Sequence, residues 1–257
     1  MDKLSVVKIG GNIIEDTDLL ASFLKDFTAL DGLKILVHGG GKKATEMAHQ
    51  LGVPVQMIEG RRITDAANLE IITMLYGGKI NKNIVAQLQA LNFNAIGLSG
   101  ADGNAISAVK RPVDKINYGF VGDITTVNES LFKFLLINGL NPVCCAISHD
   151  EKGQLLNTNA DTIAASIAKA LSKHFEVSLW YCFEKNGVLR SIEDDQSVIE
   201  CIQPTNYADL KSKGIINAGM IPKIDNCFDA LINGVKMVKI GSPKMINGND
   251  NHTTLIL

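Results

Sequence analysis

The chain reads as an α/β protein in which a mostly parallel central sheet is covered by helices on both faces, giving three layers. Two observations predict this. Short β-branched runs at residues 5–9, 34–38, 95–98, 142–147, 178–182 and 235–240 alternate with helical patterns, and such alternation marks βα units. The runs are also apolar almost throughout rather than at every second position, as strands buried on both faces must be. At 257 residues, 46% hydrophobic and 20% charged, the chain can bury a large core without disulfide or metal staples.

Composition excludes some functions. A formal net charge of −2 leaves no basic excess for nucleic acid. The five cysteines are odd in number, and the adjacent pair Cys144-Cys145 sits in an apolar run without CxxC spacing, which fits a reducing compartment. The N-terminus enters the strand-like run Leu4-Ser5-Val6-Val7 with no charged leader, and no stretch reaches the ~20 apolar residues of a membrane span. The expectation is a cytoplasmic, unprocessed protein.

The first strand ends in Lys8-Ile9-Gly10-Gly11, which places an ammonium and a glycine turn at the carboxyl edge of a buried strand. Ligands of open α/β sheets bind at that edge, although a lysine snorkelling from a strand end is also common. The second strand runs into His38-Gly39-Gly40-Gly41-Lys42-Lys43, and a helix follows with Ala44, Met47, Ala48 and Leu51 on one face and Gly52 and Pro54 as its stop. Unpaired N–H groups at such a helix start favour an anion. A tight turn without a ligand is the alternative. Residues 39–44 also satisfy G-x-G-x-x-A with Glu59 downstream, so a dinucleotide-dependent oxidoreductase is a rival. That rival leaves Lys8 and the first glycine pair without a role, and the chain has no G-x-x-x-x-G-K-[ST] loop.

Arg61 and Arg62 in Gly60-Arg61-Arg62-Ile63-Thr64-Asp65 precede a helix start. They are either a solvated pair or guanidinium forks for a carboxylate. An amphipathic stretch covers 64–91, with Leu69, Ile72, Leu75, Ile84, Leu88 and Leu91 on its apolar side and Gly77-Gly78 within it. Those glycines read as a helix-breaking join, or else as a point of close approach for a partner helix. Residues 106–123 resemble a hairpin insert able to edge a substrate pocket.

Leu156-Asn157-Thr158-Asn159-Ala160-Asp161 brings two amides and a carboxylate to a strand-to-helix junction, with Asp161 as a helix cap by default. Lys173-His174-Phe175-Glu176 reads as a waist between two lobes. Finally, Gly219-Met220-Ile221-Pro222-Lys223 opens a helix with proline suited to its first position. A lysine there opposes the helix dipole, so a bound phosphate would explain it better than packing does.

As a set, Lys8-Ile9-Gly10-Gly11, His38-Gly39-Gly40-Gly41, Gly60-Arg61-Arg62-Ile63-Thr64, Asn157-Thr158-Asn159-Ala160-Asp161 and Gly219-Met220-Ile221-Pro222-Lys223 closely resemble the N-acetylglutamate kinases, of the amino-acid kinase fold. The resemblance runs over essentially the whole chain. It implies ATP-dependent phosphorylation of the side-chain carboxylate of an N-acylated glutamate, in arginine biosynthesis. It assigns Lys8 and Lys223 to neutralising the transferring phosphoryl group and Asp161 to holding those lysines. Gly10, Gly11, Gly40 and Gly41 would donate N–H groups to phosphate and substrate oxygens, and Gly219 would belong to the same phosphate-binding set. Arg62 and Asn157 would bind the α-carboxylate, with Asn159 lining the same site. Residues 1–173 would take the acyl-glutamate and form the dimer, and residues 174–257 would take ATP. Mg²⁺ would ride on the nucleotide phosphates with no protein ligand assigned. Carbamate and aspartate kinases of the same fold are competitors, as is a nucleotide-binding sensor without turnover.

Two departures from the family pattern stand out. Where relatives read Leu-Thr-Asp-Val-x-Gly, this chain has Cys182-Phe183-Glu184-Lys185-Asn186-Gly187. Glu184 keeps the acidic position and Gly187 the glycine in the nucleotide region. Arg61 replaces an apolar residue, which raises N-succinylglutamate as substrate, although neighbouring strand side chains point oppositely. The chain begins at its first strand, unlike arginine-inhibited hexameric relatives. The expectation is a homodimer built around 64–91 and insensitive to arginine.

Overall fold

A computed structural model of the chain describes residues 1–58, 60–191, 193–216, 220–248 and 251–257. β1 (Lys3–Ile9) turns through Gly10 into α1 (Gly11–Glu15) and α2 (Thr17–Ala29), and β2 (Leu33–His38) turns through Gly39 and Gly40 into α3 (Gly41–Gln50). The ribbon of β3 (Met57–Ile58) and β4 (Arg61–Arg62) leads to α4 (Ala66–Ile72), a π-helical stretch (Thr73–Ile80) and α5 (Asn81–Ala90). Then come β5 (Ala95–Leu98), β6 (Ile106–Lys110), β7 (Gly122–Val127), α6 (Glu129–Ile137), β8 (Asn141–Cys145), β9 (Ile147–His149) and β10 (Leu155–Asn157). The chain closes with α7 (Ala160–Leu171), β11 (Glu176–Cys182), β12 (Cys201–Ile202), α8 (Pro204–Ser212), α9 (Ile221–Ile232), β13 (Met237–Gly241) and β14 (Thr253–Leu255).

These elements pack as two units, Met1–Ile35 with Ala164–Leu257, and Leu36–Ile163. In the first unit β11 pairs in parallel with both β1 and β13, and β14 runs antiparallel to β13. Leu4, Val6, Val7, Val177 and Leu179 are fully buried, which explains why both strands are mostly apolar. Asp16 caps α2, accepting from the N–H groups of Asp18 and Leu19 at 3.0 and 2.9 Å. Helical spacing puts Leu20, Phe23, Leu24 and Phe27 on its buried face. Each such side chain contributes roughly 1.5–3 kcal/mol on leaving water.

In the second unit β8 pairs in parallel with β2 and β5. The α/β class and the mostly parallel strands are as the alternation predicts. The run at 142–147 does not stay one strand. Ala146, whose carbonyl accepts from Thr158 N–H at 3.1 Å, separates β8 from β9, and β9 joins a second sheet in the order β10-β9-β6-β7. The hairpin insert is real, with β6 and β7 antiparallel.

Gly77 and Gly78 do not break the helix. Asp65 caps α4 by accepting from Asn68 N–H at 2.8 Å, and the winding continues through the π stretch into α5. Glycine costs a helix roughly 1 kcal/mol, which the burial of Leu75, Tyr76 and Ile80 offsets. Gly77 faces Ile147 Cδ1, 3.7 Å from where its Cβ would stand. Among the described residues no helix is long and apolar enough to cross a membrane.

Candidate functional site

The first unit carries a glycine turn beside a cavity. Gly10 N–H donates to the Cys182 carbonyl at 3.2 Å, so the turn leaves β1 while still tied to β11. Gly10, Gly11, Phe183, Glu184, Gly187 and Lys223 are among the residues lining a cavity of about 640 Å³, a size that suits a nucleotide-sized ligand. Gly187 has its own packing reason: a Cβ there would stand 2.6 Å from Thr253 Oγ1, and that hydroxyl accepts from Val188 N–H at 2.8 Å. Glu184 is exposed at the rim.

Lys8 and Lys223 converge on one ring. Their Nζ atoms lie 5.6 and 4.5 Å from the centroid of Phe183. Lys223 sits in the first turn of α9, which starts at Ile221, so Pro222 takes the second helical position rather than the first. A cation at a helix N-terminus is disfavoured by about 0.3–1 kcal/mol, and an exposed cation–π contact returns about 0.5–1 kcal/mol. The ring is therefore large enough an effect to decide where this ammonium rests. Gly219 and Glu59 lie outside the described residues.

The second unit holds the other glycine turn, at the start of α3. Gly40 has φ 156°, and a Cβ there would collide with Ile80 Cδ1 and stand 2.9 Å from the Tyr76 ring. Only glycine fits this bend, which aims the first N–H groups of α3 outward. Arg62 is buried while Arg61 is exposed, as opposite faces of a strand require. Arg62 Nη2 donates to the Gly41 carbonyl at 3.0 Å and to Thr45 Oγ1 at 2.6 Å, and Nη1 donates to Asn68 Oδ1 at 3.5 Å. These bonds engage both Nη1 and Nη2 and fix the plane of the guanidinium fork.

Asn157 joins this corner by donating from Nδ2 to Thr64 Oγ1 at 3.0 Å. The hairpin tip closes over the same residue, with Phe120 N–H donating to the Thr64 carbonyl at 2.7 Å and Thr64 N–H to the Tyr118 carbonyl at 2.9 Å. The cap of α7 falls to Asn159, not Asp161. Asn159 Oδ1 accepts from the N–H groups of Asp161 and Thr162 at 2.8 and 3.2 Å, so the Asp161 carboxylate stands on the first turn instead of closing it.

Beneath the turn lies a polar cluster that sequence patterns leave hidden. His38 is fully buried. Its Nδ1 lies 2.9 Å from the Gly39 carbonyl, and its Nε2 faces Asn81 Nδ2 at 3.1 Å. Burial pushes its pKa down to about 4, so it is a neutral support and no proton carrier near neutrality. Thr45, Asn68, Tyr76 and Asn81 fall on helical stretches whose periodicity reports only burial, and nothing in the local pattern separates them from core.

The family model for the amino acid kinase family matches residues 3–242. The chain is 52% identical over 246 residues to an acetylglutamate kinase of Phocaeicola vulgatus, covering 96% of each chain. It is 55% identical over 241 residues to that of Cytophaga hutchinsonii, covering 93% of this chain and 91% of the relative. Among solved structures, smu.665 from Streptococcus mutans matches with a TM-score of 0.79 and 27% identity over 98% of both chains. The glycine turns, the paired lysines and the anchored arginine thus sit in a chain that belongs to the amino acid kinase family, as a member of its acetylglutamate kinase group.

Proposed function

We infer that the chain transfers the γ-phosphoryl group of ATP to the side-chain carboxylate of N-acetyl-L-glutamate, yielding an acyl phosphate and ADP in arginine biosynthesis. The observation that carries this is the near full-length identity to acetylglutamate kinases, with which both half-sites agree. Nothing supports a carbamate or aspartate kinase, an oxidoreductase or a sensor without turnover.

We assign the roles as follows. Arg62 and Asn157 hold the α-carboxylate, Asn159 lines that site, and the N–H groups of Gly40 and Gly41 meet substrate oxygens. Gly10 and Gly11 donate to phosphate, with Glu184, Gly187 and Gly219 in the nucleotide region. Lys8, Lys223 and Asp161 form the charged catalytic set. The attacking carboxylate, with an ordinary pKa near ~4.3, is already ionised at neutrality, so no general base is needed. The residues' task is to neutralise two approaching anions and to align attacking and leaving oxygens. Mg²⁺ is assigned to the nucleotide phosphates, with no protein ligand named. There it would supply charge neutralisation.

Residues 1–173 are proposed to serve the acyl-glutamate and a homodimer, and residues 174–257 the nucleotide, with Gly10 and Gly11 contributed from the first strand. Exposed Met74 and Leu91 support a dimer contact around 64–91, which sedimentation tests. A cytoplasmic site of action is proposed from the family of metabolic kinases to which the chain belongs. The argument for a succinyl cap rests on Arg61, which is exposed on the face of β4 opposite Arg62, so acetyl is the preferred acyl group. A higher kcat/KM for N-succinylglutamate would reverse that choice.

The experiment is ATP turnover trapped with hydroxylamine, because only an acyl phosphate gives a hydroxamate. Lys8→Ala and Lys223→Ala should each remove most of the signal in a folded protein. Full signal in both refutes the assignment.

A further inference from the structure

We propose that Phe183 is a positioning residue for phosphoryl transfer, its ring gathering the ammonium groups of Lys8 and Lys223 beside the first glycine turn before any phosphate is bound. This rests on the assignment of those two lysines to the transferring phosphoryl group.

The register of the strands makes the arrangement. Lys8 lies directly opposite Tyr181 on the neighbouring parallel strand, and Phe183 is two residues beyond Tyr181, so both aromatic rings share a sheet face with the lysine. The Tyr181 and Phe183 rings are parallel within 4° at 6.1 Å between centroids, and Tyr181 is buried. The backbone of Phe183 is held as well, its N–H donating to the Gly241 carbonyl at 2.8 Å. Phe183 is thus a half-buried ring on a braced strand end.

Two forces work against bringing Lys223 to Lys8. The ammonium groups repel, and the N-terminal dipole of α9 repels Lys223 as well. An aromatic face carries negative potential, and both Nζ atoms lie within cation–π reach of the same centroid, at 5.6 and 4.5 Å. The ring thus holds both charges beside the glycine turn where a phosphate is to arrive. Held so, the lysines spend less ordering on binding. Exchange for an aliphatic side chain of similar bulk keeps the packing but removes this attraction.

The test uses the full chain carrying mono-, di- or trifluorophenylalanine at position 183. Size changes little along that series while the ring face loses its negative potential. The expected result is a stepwise fall in kcat/KM for ATP of about twofold per fluorine, about tenfold for Phe183→Leu, and near-wild-type activity for Phe183→Tyr. In the nucleotide-free protein, the ε-methylene resonances of Lys8 and Lys223 should be shifted upfield by the ring and should lose that shift in Phe183→Leu. A flat fluorine series overturns the proposal. So do unshifted lysine resonances before nucleotide is added, the outcome expected if Phe183 serves only to stack on the base. Full activity in Lys8→Ala and Lys223→Ala would instead remove the lysine assignment beneath it.

Discussion

Asn81 Nδ2 donates to His38 Nε2 at 3.1 Å, which places the imidazole proton on Nδ1, where it is donated to the Gly39 carbonyl at 2.9 Å. The amide orientation is corroborated at its other atoms: Nδ2 also donates to the Val143 carbonyl at 2.9 Å, and Oδ1 accepts from Lys82 Nζ at 3.1 Å. The glycine turn therefore stands on a buried, fully connected polar chain, and such chains are costly to break.

This relationship makes stability depend on pH. Burial lowers the His38 pKa from 6.5 to about 4, so the unfolded chain takes up a proton that the folded chain refuses. The His38 contribution is fully present above about pH 6.5 and is lost as pH falls toward about 4, on the order of 3 kcal/mol in all. Urea denaturation across that window should show a slope in the parent protein that flattens in His38→Gln. Equal slopes would contradict the buried neutral imidazole.

Gly40→Ala is expected to cost about 1–3 kcal/mol as an overpacked position, because the new Cβ meets Ile80 Cδ1 and the Tyr76 ring. The KM for N-acetylglutamate should rise along with it. Adding Ile80→Val, which removes the clashing Cδ1, should give a double variant that loses less than the sum of the two single losses. If Gly40→Ala melts like the parent, the turn is not packed as described.

The parallel strands were legible because burial on both faces writes itself as mostly apolar runs, as in Leu4, Val6, Val7 and Ile9 with only Ser5 and Lys8 between them. The glycine turns after β1 and β2 were legible, since paired glycines at a strand end mark a sharp βα turn. Sequence spacing missed the supports. Tyr76 and Asn81 carry the same helical period as their core neighbours, and only the π stretch from Thr73 to Ile80 brings them under Gly40 and His38. Gly77-Gly78 misled for a related reason: local propensity favours a break there, and tertiary burial overrides it. Asp161 and Asn159 exchanged the capping role because either side chain satisfies the same local rule.

Arg62→Lys should raise the KM for N-acetylglutamate about 10- to 100-fold, the loss expected when charged hydrogen bonds in a buried corner go unmade. A lysine has one donor centre, whereas Arg62 ties the Gly41 carbonyl, Thr45 Oγ1 and Asn68 Oδ1 together through two nitrogens. Arg61→Lys, on the exposed face, should leave KM within about twofold. Steady-state kinetics on the two variants decides it, and equal effects would sink the separation of roles.

Asn159→Ala removes the oxygen that accepts from the N–H groups of Asp161 and Thr162 at 2.8 and 3.2 Å, a loss of about 1 kcal/mol for a helix cap. The first turn of α7 carries Asp161, so fraying there should lower kcat more than the stability loss alone would suggest. Asn159→Asp keeps the acceptor and should restore the melting temperature, but it adds a negative charge where a carboxylate substrate binds and should raise KM. Melting and kinetics of the two variants together separate capping from substrate contact. If Asn159→Asp recovers both quantities, Asn159 is a cap and has no part in holding the substrate.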